Sequence, residues 1–317
     1  MITLNSVRQR HGASIVARTL ALLIATAAMT GAPFANASSG DDVHASVVAS
    51  VAVGPQYDTT HVYVSNDDID AFVDSFIATF GGFASQRAVF TVTPTPSKTA
   101  SQYIRTPVGM LSVFAFQSPI PYPFGNERTG YLVTDMDAAV RLARAAGADV
   151  IVDTFDDPIG KDAVIQWPGG LTMQLYWHTK APVYEPLATV PDNRVYLSAH
   201  AVDGFVRRFL RFSHGKVVSD DRSADGAEIG LDGQLLRRIR LKSAFGNMLI
   251  FVTDGKLPWP YGREITGYQV ADLDATLIKA RASGVKVLSQ SIRNADGRTA
   301  MVEFPGGYIA EIHQISK

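Results

Sequence analysis

The sequence PWPYGREITGYQVADLDA occupies residues 258–275, and the sequence PYPFGNERTGYLVTDMDA occupies residues 121–138. Their shared prolines, glycine, glutamate, Thr-Gly-Tyr run and Asp-x-Asp-Ala ending keep a constant offset of 137 residues, from 121 to 258 and from 138 to 275. Pro-Gly-Gly recurs at the same spacing, at 168–170 and 305–307. A spaced match of this kind does not arise by chance, so the chain contains an internal duplication.

The duplicated stretch predicts a strand followed by a helix. Asp135 and Asp272 follow the strand pattern, and a carboxylate at that point suits the free N–H groups of a helix start. Upstream in each half, His61–Ser65 and Arg194–Ser198 are β-rich and precede an amphipathic helix pattern. Further strands follow each helix, among them Val89–Thr93 by its β-branched content.

Each half therefore contains two β-α-β-β-β units, which gives four units in an α+β fold. A single unit curls its strands around one helix and leaves an open sheet. Two paired units close much of that opening into a cavity, and such a cavity predicts a small-molecule partner.

Composition limits the function. The chain has 317 residues, 46% of them hydrophobic, and a formal net charge of −1. This length suggests two ordinary domains, and the low net charge argues against a nucleic-acid partner. The absence of cysteine excludes disulfides, thiolate nucleophiles and cysteine-ligated metals.

The amino-terminal sequence predicts a signal peptide over residues 1–37. Arg8, Arg10 and Arg18 precede an apolar run over 20–29, and Ala35-Asn36-Ala37 has the small-x-small pattern of a cleavage site. We expect a secreted or periplasmic protein without membrane contact after cleavage; a retained anchor is the alternative.

The remaining chain divides into a flexible leader over 38–56, a first domain over 57–179, a proline-containing linker over 180–192 and a second domain over 193–317. The tandem halves can form together what single-domain chains form as dimers. We therefore expect a monomer.

The chain from about Thr59 to His313 resembles the glyoxalase, bleomycin-resistance and extradiol-dioxygenase group, the vicinal oxygen chelate superfamily. The similarity rests on Asp272–Ala275 at a helix start, Gly284–Val287 after the helix, and the run Glu303–Ile312. It implies two tandem glyoxalase-like domains. It also implies a divalent iron, manganese, nickel or zinc ion, or no metal in the drug-binding branch, and a small-molecule substrate.

The resemblance places metal ligands on the first strand of a unit, on a middle strand and on a closing strand. His61 and Gln174 fall at the first and closing positions of the first half, and Arg194 and Glu311 fall there in the second. The middle position falls at or beside Arg128, and near Ile265 in the second half. Arginine has no lone pair to give, so neither half carries a full His-His-Glu set.

Glu127 and Glu264 stand at equivalent positions next to the expected middle ligand. A shift of one residue would turn them inward, so the candidate metal ligands are His61, Glu127 and Gln174 in one half and Glu264 and Glu311 in the other. The alternative is that each glutamate forms a local ion pair on an exposed strand edge.

Glu311, Tyr131 and Tyr268 are the candidate catalytic residues. The two tyrosines recur at the same place in the repeat, where packing in a core or a cavity wall is the alternative role. Three hypotheses follow: a metal-dependent lyase or dioxygenase with one degenerate half, a metal-free protein that binds a small aromatic molecule, and a structural role.

Overall fold

The computed structural model describes residues 50–289, 292–293 and 296–316. The predicted signal peptide and most of the predicted leader lie outside these residues. No helix within the described ranges is long and apolar enough to cross a membrane.

The first sheet has nine strands in the order β2-β4-β5-β1-β6-β9-β8-β7, with β3 paired to β4. Helix α1 (Ile69–Phe80) follows β1, and helix α2 (Met136–Ala146) follows β6. The strands are β1 (Thr59–Tyr63), β2 (Phe83–Ala84), β3 (Ala88–Phe90), β4 (Thr99–Thr106), β5 (Gly109–Phe116), β6 (Thr129–Leu132), β7 (Asp149–Asp157), β8 (Gly160–Gln166) and β9 (Thr172–His178).

The second sheet repeats this plan in the order β11-β12-β13-β10-β14-β18-β17-β15, with β16 paired to β17. Helices α3 (Val202–Ser213) and α4 (Leu273–Ala282) follow β10 and β14. The strands are β10 (Asp192–Leu197), β11 (Lys216–Asp225), β12 (Leu235–Ser243), β13 (Gly246–Val252), β14 (Ile265–Gln269), β15 (Lys286–Val287), β16 (Ile292–Arg293), β17 (Gly297–Phe304) and β18 (Tyr308–Ile315). Short 3-10 turns cover Gly226–Ile229 and Pro305–Gly307.

The α+β fold of four β-α-β-β-β units is confirmed. In each sheet the first strands of the two units pair antiparallel at the centre, β1 with β6 and β10 with β14. The aspartates of the duplicated stretch start the helices, because Asp135 accepts a hydrogen bond from the Ala138 N–H at 2.8 Å and Asp272 accepts one from the Ala275 N–H at 2.9 Å.

Two large hydrophobic cores each combine residues of both halves. One core joins α1 with α4, where the Phe76 and Phe304 rings lie 5.1 Å apart. The other joins α2 with α3, where Trp167 lies 5.5 Å from Phe212. The first unit therefore packs on the fourth, and the second packs on the third. Burial on this scale is the main stabilising term of a fold.

The prediction of a strand over Val89–Thr93 is wrong beyond its first residues. Strand β3 covers only Ala88–Phe90 and is exposed, and the chain then turns through a proline-containing loop. The main partner of β5 is β4, whose polar sequence gave no strand signal. β-branched residues favour strands because they pack well on a half-buried, pleated surface. The segment around β3 is exposed and lacks such a surface.

Candidate functional site

The first sheet carries a cavity of about 380 Å³ on the face opposite its helices. Successive side chains of a strand point to opposite faces. In β1, Val62 therefore packs in the core, whereas Thr59, His61 and Tyr63 line the cavity. The β1 strand thus sets both the core of the first unit and the floor of the cavity.

Aromatic rings dominate the cavity wall. Nine of the lining residues are tyrosine or phenylalanine. Six of them stand on strands: Tyr63, Phe90, Tyr103, Phe114, Phe116 and Tyr176. Polar side chains stand between these rings, among them His61, Ser112, Asp162 and Gln174. A concave wall of aromatic rings with polar groups among them is the usual form of a small-molecule site.

The segment between β9 and β10 closes one side of the cavity. Its residues Pro182 and Tyr184 line the cavity together with Tyr57. The Tyr57 and Tyr184 rings lie 5.2 Å apart, and the Arg105 guanidinium lies 4.9 Å from the centre of the Tyr184 ring. Arg105 also donates a hydrogen bond to the Glu185 carbonyl at 2.8 Å, so this segment is fixed to the first sheet.

Gly130 of β6 lies against the His61 ring. The β1–β6 register pairs Thr59 with Gly130, and the β6–β9 register pairs Gly130 with Gln174. A Cβ atom at Gly130 would lie 2.5 Å from His61 Nε2. The predicted middle residue Arg128 accepts a backbone hydrogen bond from the His61 N–H at 2.8 Å, and Ile265 pairs with Arg194 in the second half. Gly267 lies against Glu311 as Gly130 lies against His61.

His61 and Glu127 form a buried pair beside the cavity. The side chains of His61 and Glu127 are 2% and 0% exposed, and His61 Nδ1 lies 3.6 Å from Glu127 Oε1. Tyr63 donates its hydroxyl proton to the same Glu127 oxygen. Burial and the Glu127 carboxylate raise the pKa of Tyr63, so the hydroxyl remains a donor.

The other oxygen of this carboxylate is unsatisfied. Within the described residues, Glu127 Oε2 and His61 Nδ1 have no hydrogen-bond partner. A buried polar atom without a partner is costly and calls for an explanation. Glu127 is therefore not the exposed, ion-paired glutamate of the alternative interpretation.

Asp162 and Gln174 form the second polar group of the cavity. Asp162 of β8 is 5% exposed, and a hydrogen bond joins its carboxyl to Gln174 of β9. Burial raises the pKa of Asp162 well above its ordinary value, and the charge of Asp157 raises it further. Burial also lowers the pKa of His178, which lines the same cavity.

In the second half, arginine fills the equivalent face of the sheet. Arg194 stands where His61 stands in the first half, and its guanidinium lies 3.0 Å from Glu228 and 3.4 Å from Glu311. Glu228 comes from the 3-10 turn Gly226–Ile229 and also binds Arg238 at 2.7 Å. The space left beside these groups is about 20 Å³, less than a substrate needs.

Neighbouring opposite charges favour the ionised form of Glu311 and the protonated form of His313 in this cluster. Burial opposes the ionised form of Glu311, but the charges of His313 and Arg194 and hydrogen bonds from His313 and Thr299 lower its pKa to about 2. Burial likewise opposes the charged form of His313, but Glu311, at 2.8 Å, raises the pKa of His313. The acid predicted to be a metal ligand or catalytic residue is therefore bound by cations of the protein.

The remaining sequence candidates lie away from the cavity. Glu264 approaches Thr129 of the first half at 3.4 Å, and burial raises the pKa of Glu264 to about 7. Tyr131 packs in the core of α2 and α3, 5.3 Å from the Phe245 ring. Tyr268 packs in the core of α1 and α4 and exchanges a hydrogen bond with Tyr308 at 2.9 Å. These two tyrosines have the core role given above as the alternative.

Asp162 and Glu228 are the site residues that the sequence interpretation missed. Asp162 directly precedes the apolar residues 163–165. An acid next to a strand of buried residues is unusual, and this was the signal that could have identified Asp162. Glu228 lies in a turn that has no counterpart in the duplication, and no local pattern identifies it.

The predicted metal ligands do not form a three-ligand set. The structure brings His61 and Glu127 together, places Gln174 on β9, and has Gly130, which offers no side-chain ligand, between His61 and Gln174. Among the described residues, no group of three or more His, Asp or Glu side chains could hold a metal ion. In the second half, Arg194 supplies the positive charge beside Glu311. These donors do not fit the divalent ion that the fold implies.

Solved structures share this fold. A triple mutant of 4-hydroxymandelate synthase from Streptomyces coelicolor is 14% identical, covering 81% of this chain and 92% of that chain with a TM-score of 0.57. A fusion of a xylose isomerase-like TIM barrel with 4-hydroxyphenylpyruvate dioxygenase is 14% identical, covering 84% of this chain with a TM-score of 0.52. This chain spans 49% of that fusion.

These neighbours establish the fold. The chain shares the tandem fold of these structures, as its resemblance to the vicinal oxygen chelate superfamily led us to expect. No protein-family model matches the sequence, and no curated protein matches it. Identities of this size establish the fold alone, and a fold of this kind hosts many functions.

Proposed function

We propose that this chain acts on a small, largely apolar aromatic molecule, which it holds in the cavity of its first half. The observation that supports this most is the difference between the two halves. The first has about 380 Å³ of aromatic-lined space, and the second has about 20 Å³ beside an ion-paired arginine. The neighbours named for 4-hydroxymandelate and 4-hydroxyphenylpyruvate also favour an aromatic ligand.

The residues that line the cavity predict how the ligand lies in it. The ring of the ligand stacks against the tyrosine and phenylalanine faces, which contribute apolar area at little loss of side-chain entropy. Its polar group meets the floor, where His61, Asp162 and Gln174 point into the same space.

A neutral aromatic probe tests this proposal. We expect 2-naphthol to raise the melting temperature of the mature chain and to bind in a calorimetric titration. Ser112 of β5 lines the cavity, so Ser112→Trp fills it and abolishes the binding. Ser219→Trp, at an exposed site on β11, leaves the binding unchanged. Equal binding by both variants would place the ligand elsewhere and overturn the proposal.

A metal-dependent, dioxygenase-like reaction is the second candidate. The buried Glu127 carboxylate beside His61, with one oxygen unsatisfied in the described structure, is the observation that favours it. Because the donor set is incomplete, we expect less than about a tenth of an equivalent of transition metal and no effect of chelators on the melting temperature. One equivalent of metal, lost in His61→Ala, would establish this second candidate instead.

Export to the periplasm or outside the cell remains a proposal that the sequence of residues 1–37 supports. Amino-terminal sequencing of the protein from its native host tests it. We expect the mature chain to begin at Ser38. A chain that begins at its first residues would contradict the prediction.

A further inference from the structure

The charged side chains that line the first-half cavity are acidic. Asp157 and Asp162 line the cavity together with the imidazoles of His61 and His178, and no lysine or arginine does so within the described residues. Arg128 and Arg105 contact the Tyr63 and Tyr184 rings but do not line the space. A ligand that enters meets carboxyl groups, neutral amides and aromatic rings.

Asp162 is the group that a ligand can reach at the floor. It is 5% exposed, projects from β8 into the cavity and has the neutral Gln174 amide as its hydrogen-bond partner. No cation of the described chain forms an ion pair with Asp162.

The wall offers a second form of recognition for positive charge. Tyr57 and Tyr184 present rings 5.2 Å apart at one side of the cavity, and Tyr63 and Phe114 present rings 5.4 Å apart at another. Arg105 and Arg128 already lie over the Tyr184 and Tyr63 rings, so Tyr57 and Phe114 are the rings of these two pairs that attract the cation of a ligand. This attraction is strongest where water is excluded.

We propose that the cavity selects a protonated amine on an aromatic body and rejects a carboxylate of the same shape. This inference rests on the proposed function and adds to it the charge class of the ligand. The ammonium group takes its place beside the carboxyl of Asp162, and the ring packs on the tyrosines. A carboxylate at the same position would be buried next to the acidic Asp162, with no lysine or arginine of the described residues in the lining to offset its charge.

Three probes of one shape test the inference on the full mature chain: 2-naphthylmethylamine, 2-naphthylmethanol and 2-naphthoate. We expect the amine to bind at least about ten-fold more tightly than 2-naphthoate, with the alcohol between them. Asp162→Asn keeps the size of the side chain and removes most of this difference. Asp156→Asn, at an exposed site outside the cavity, is the matched control and keeps it.

The outcomes separate the two proposals. Equal binding of all three probes, or tighter binding of 2-naphthoate, overturns the charge selectivity and leaves the aromatic site intact. No binding of any probe overturns both. The comparison of the three probes on the unmodified chain holds even if Asp162→Asn fails to fold.

Discussion

Two glycines show how the halves of the duplication have diverged at single positions. A Cβ atom at Gly130 would lie 2.5 Å from His61 Nε2, and one at Gly267 would lie 2.5 Å from Glu311 Oε2. His61 has open cavity beside it, whereas Glu311 is held by His313 and Thr299 in a closed cluster. The same substitution therefore has different consequences in the two halves.

We expect Gly130→Ala to change binding and Gly267→Ala to change stability. In Gly130→Ala the imidazole moves into the cavity, so 2-naphthol binding weakens while the free energy of unfolding falls by less than about 1 kcal/mol. In Gly267→Ala the carboxylate cannot move without losing its cations, which costs about 3 kcal/mol. Chemical denaturation and calorimetric titration of both variants check this. The reverse pattern would contradict the assignment of the open and closed halves.

The lowered pKa of Glu311 predicts that the folded protein loses stability in acid. Its pKa of about 2 in the folded protein lies below the ordinary value of 4.5, so its contribution to stability is complete above pH 4.5 and is lost as the pH falls toward 2. This contribution is on the order of 3 kcal/mol.

Glu311→Gln should lower stability at neutral pH and flatten the pH dependence between pH 4.5 and 2, measured by urea unfolding. Glu303→Gln is the control on the neighbouring strand, because Glu303 pairs with the largely exposed Lys286. Equal pH profiles for the two variants would show that Glu311 is not held by the cluster.

The strands and helices show what the sequence can predict. The duplicated stretch carries its own local signals, the strand pattern and the capping aspartates, and so it predicted the four units and a cavity. It did not predict the surroundings of the Glu127 and Glu264 side chains. The same position in the repeat is buried beside His61 in one half and lies beside Thr129 in the other. Side-chain direction there depends on strand register and on the neighbouring half, which no local pattern records.

The start of α2 provides a test of the local signals. Asp135 accepts the Ala138 N–H, whereas Asp137 lies in the first turn of the helix and contributes only through the helix dipole. We expect Asp135→Ala to lower the free energy of unfolding by about 1 kcal/mol and Asp137→Ala to lower it by about 0.5 kcal/mol or less. Equal losses in urea unfolding would show that the cap is not the source of the stabilisation.

The whole molecule is held together by the cores that its halves share. Each core combines a helix of residues 57–179 with a helix of residues 193–317. We therefore expect the unfolding of the full chain to be a single cooperative transition. Residues 50–190 and 191–317 produced separately should expose their helix faces and fail to give the near-ultraviolet circular dichroism of a packed core. Two independent, stably folded halves would contradict this.

The stoichiometry of ligand binding tests the central claim, that the first half holds the ligand site and Arg194 closes the second. A calorimetric titration of residues 38–317 with the tightest-binding of the three naphthyl probes measures it. We predict one site per chain, absent in Ser112→Trp and retained in Glu228→Gln, which alters the ion pairs of Glu228 with Arg194 and Arg238 in the second half. Two sites per chain, or one site that survives Ser112→Trp and disappears in Glu228→Gln, would contradict the account.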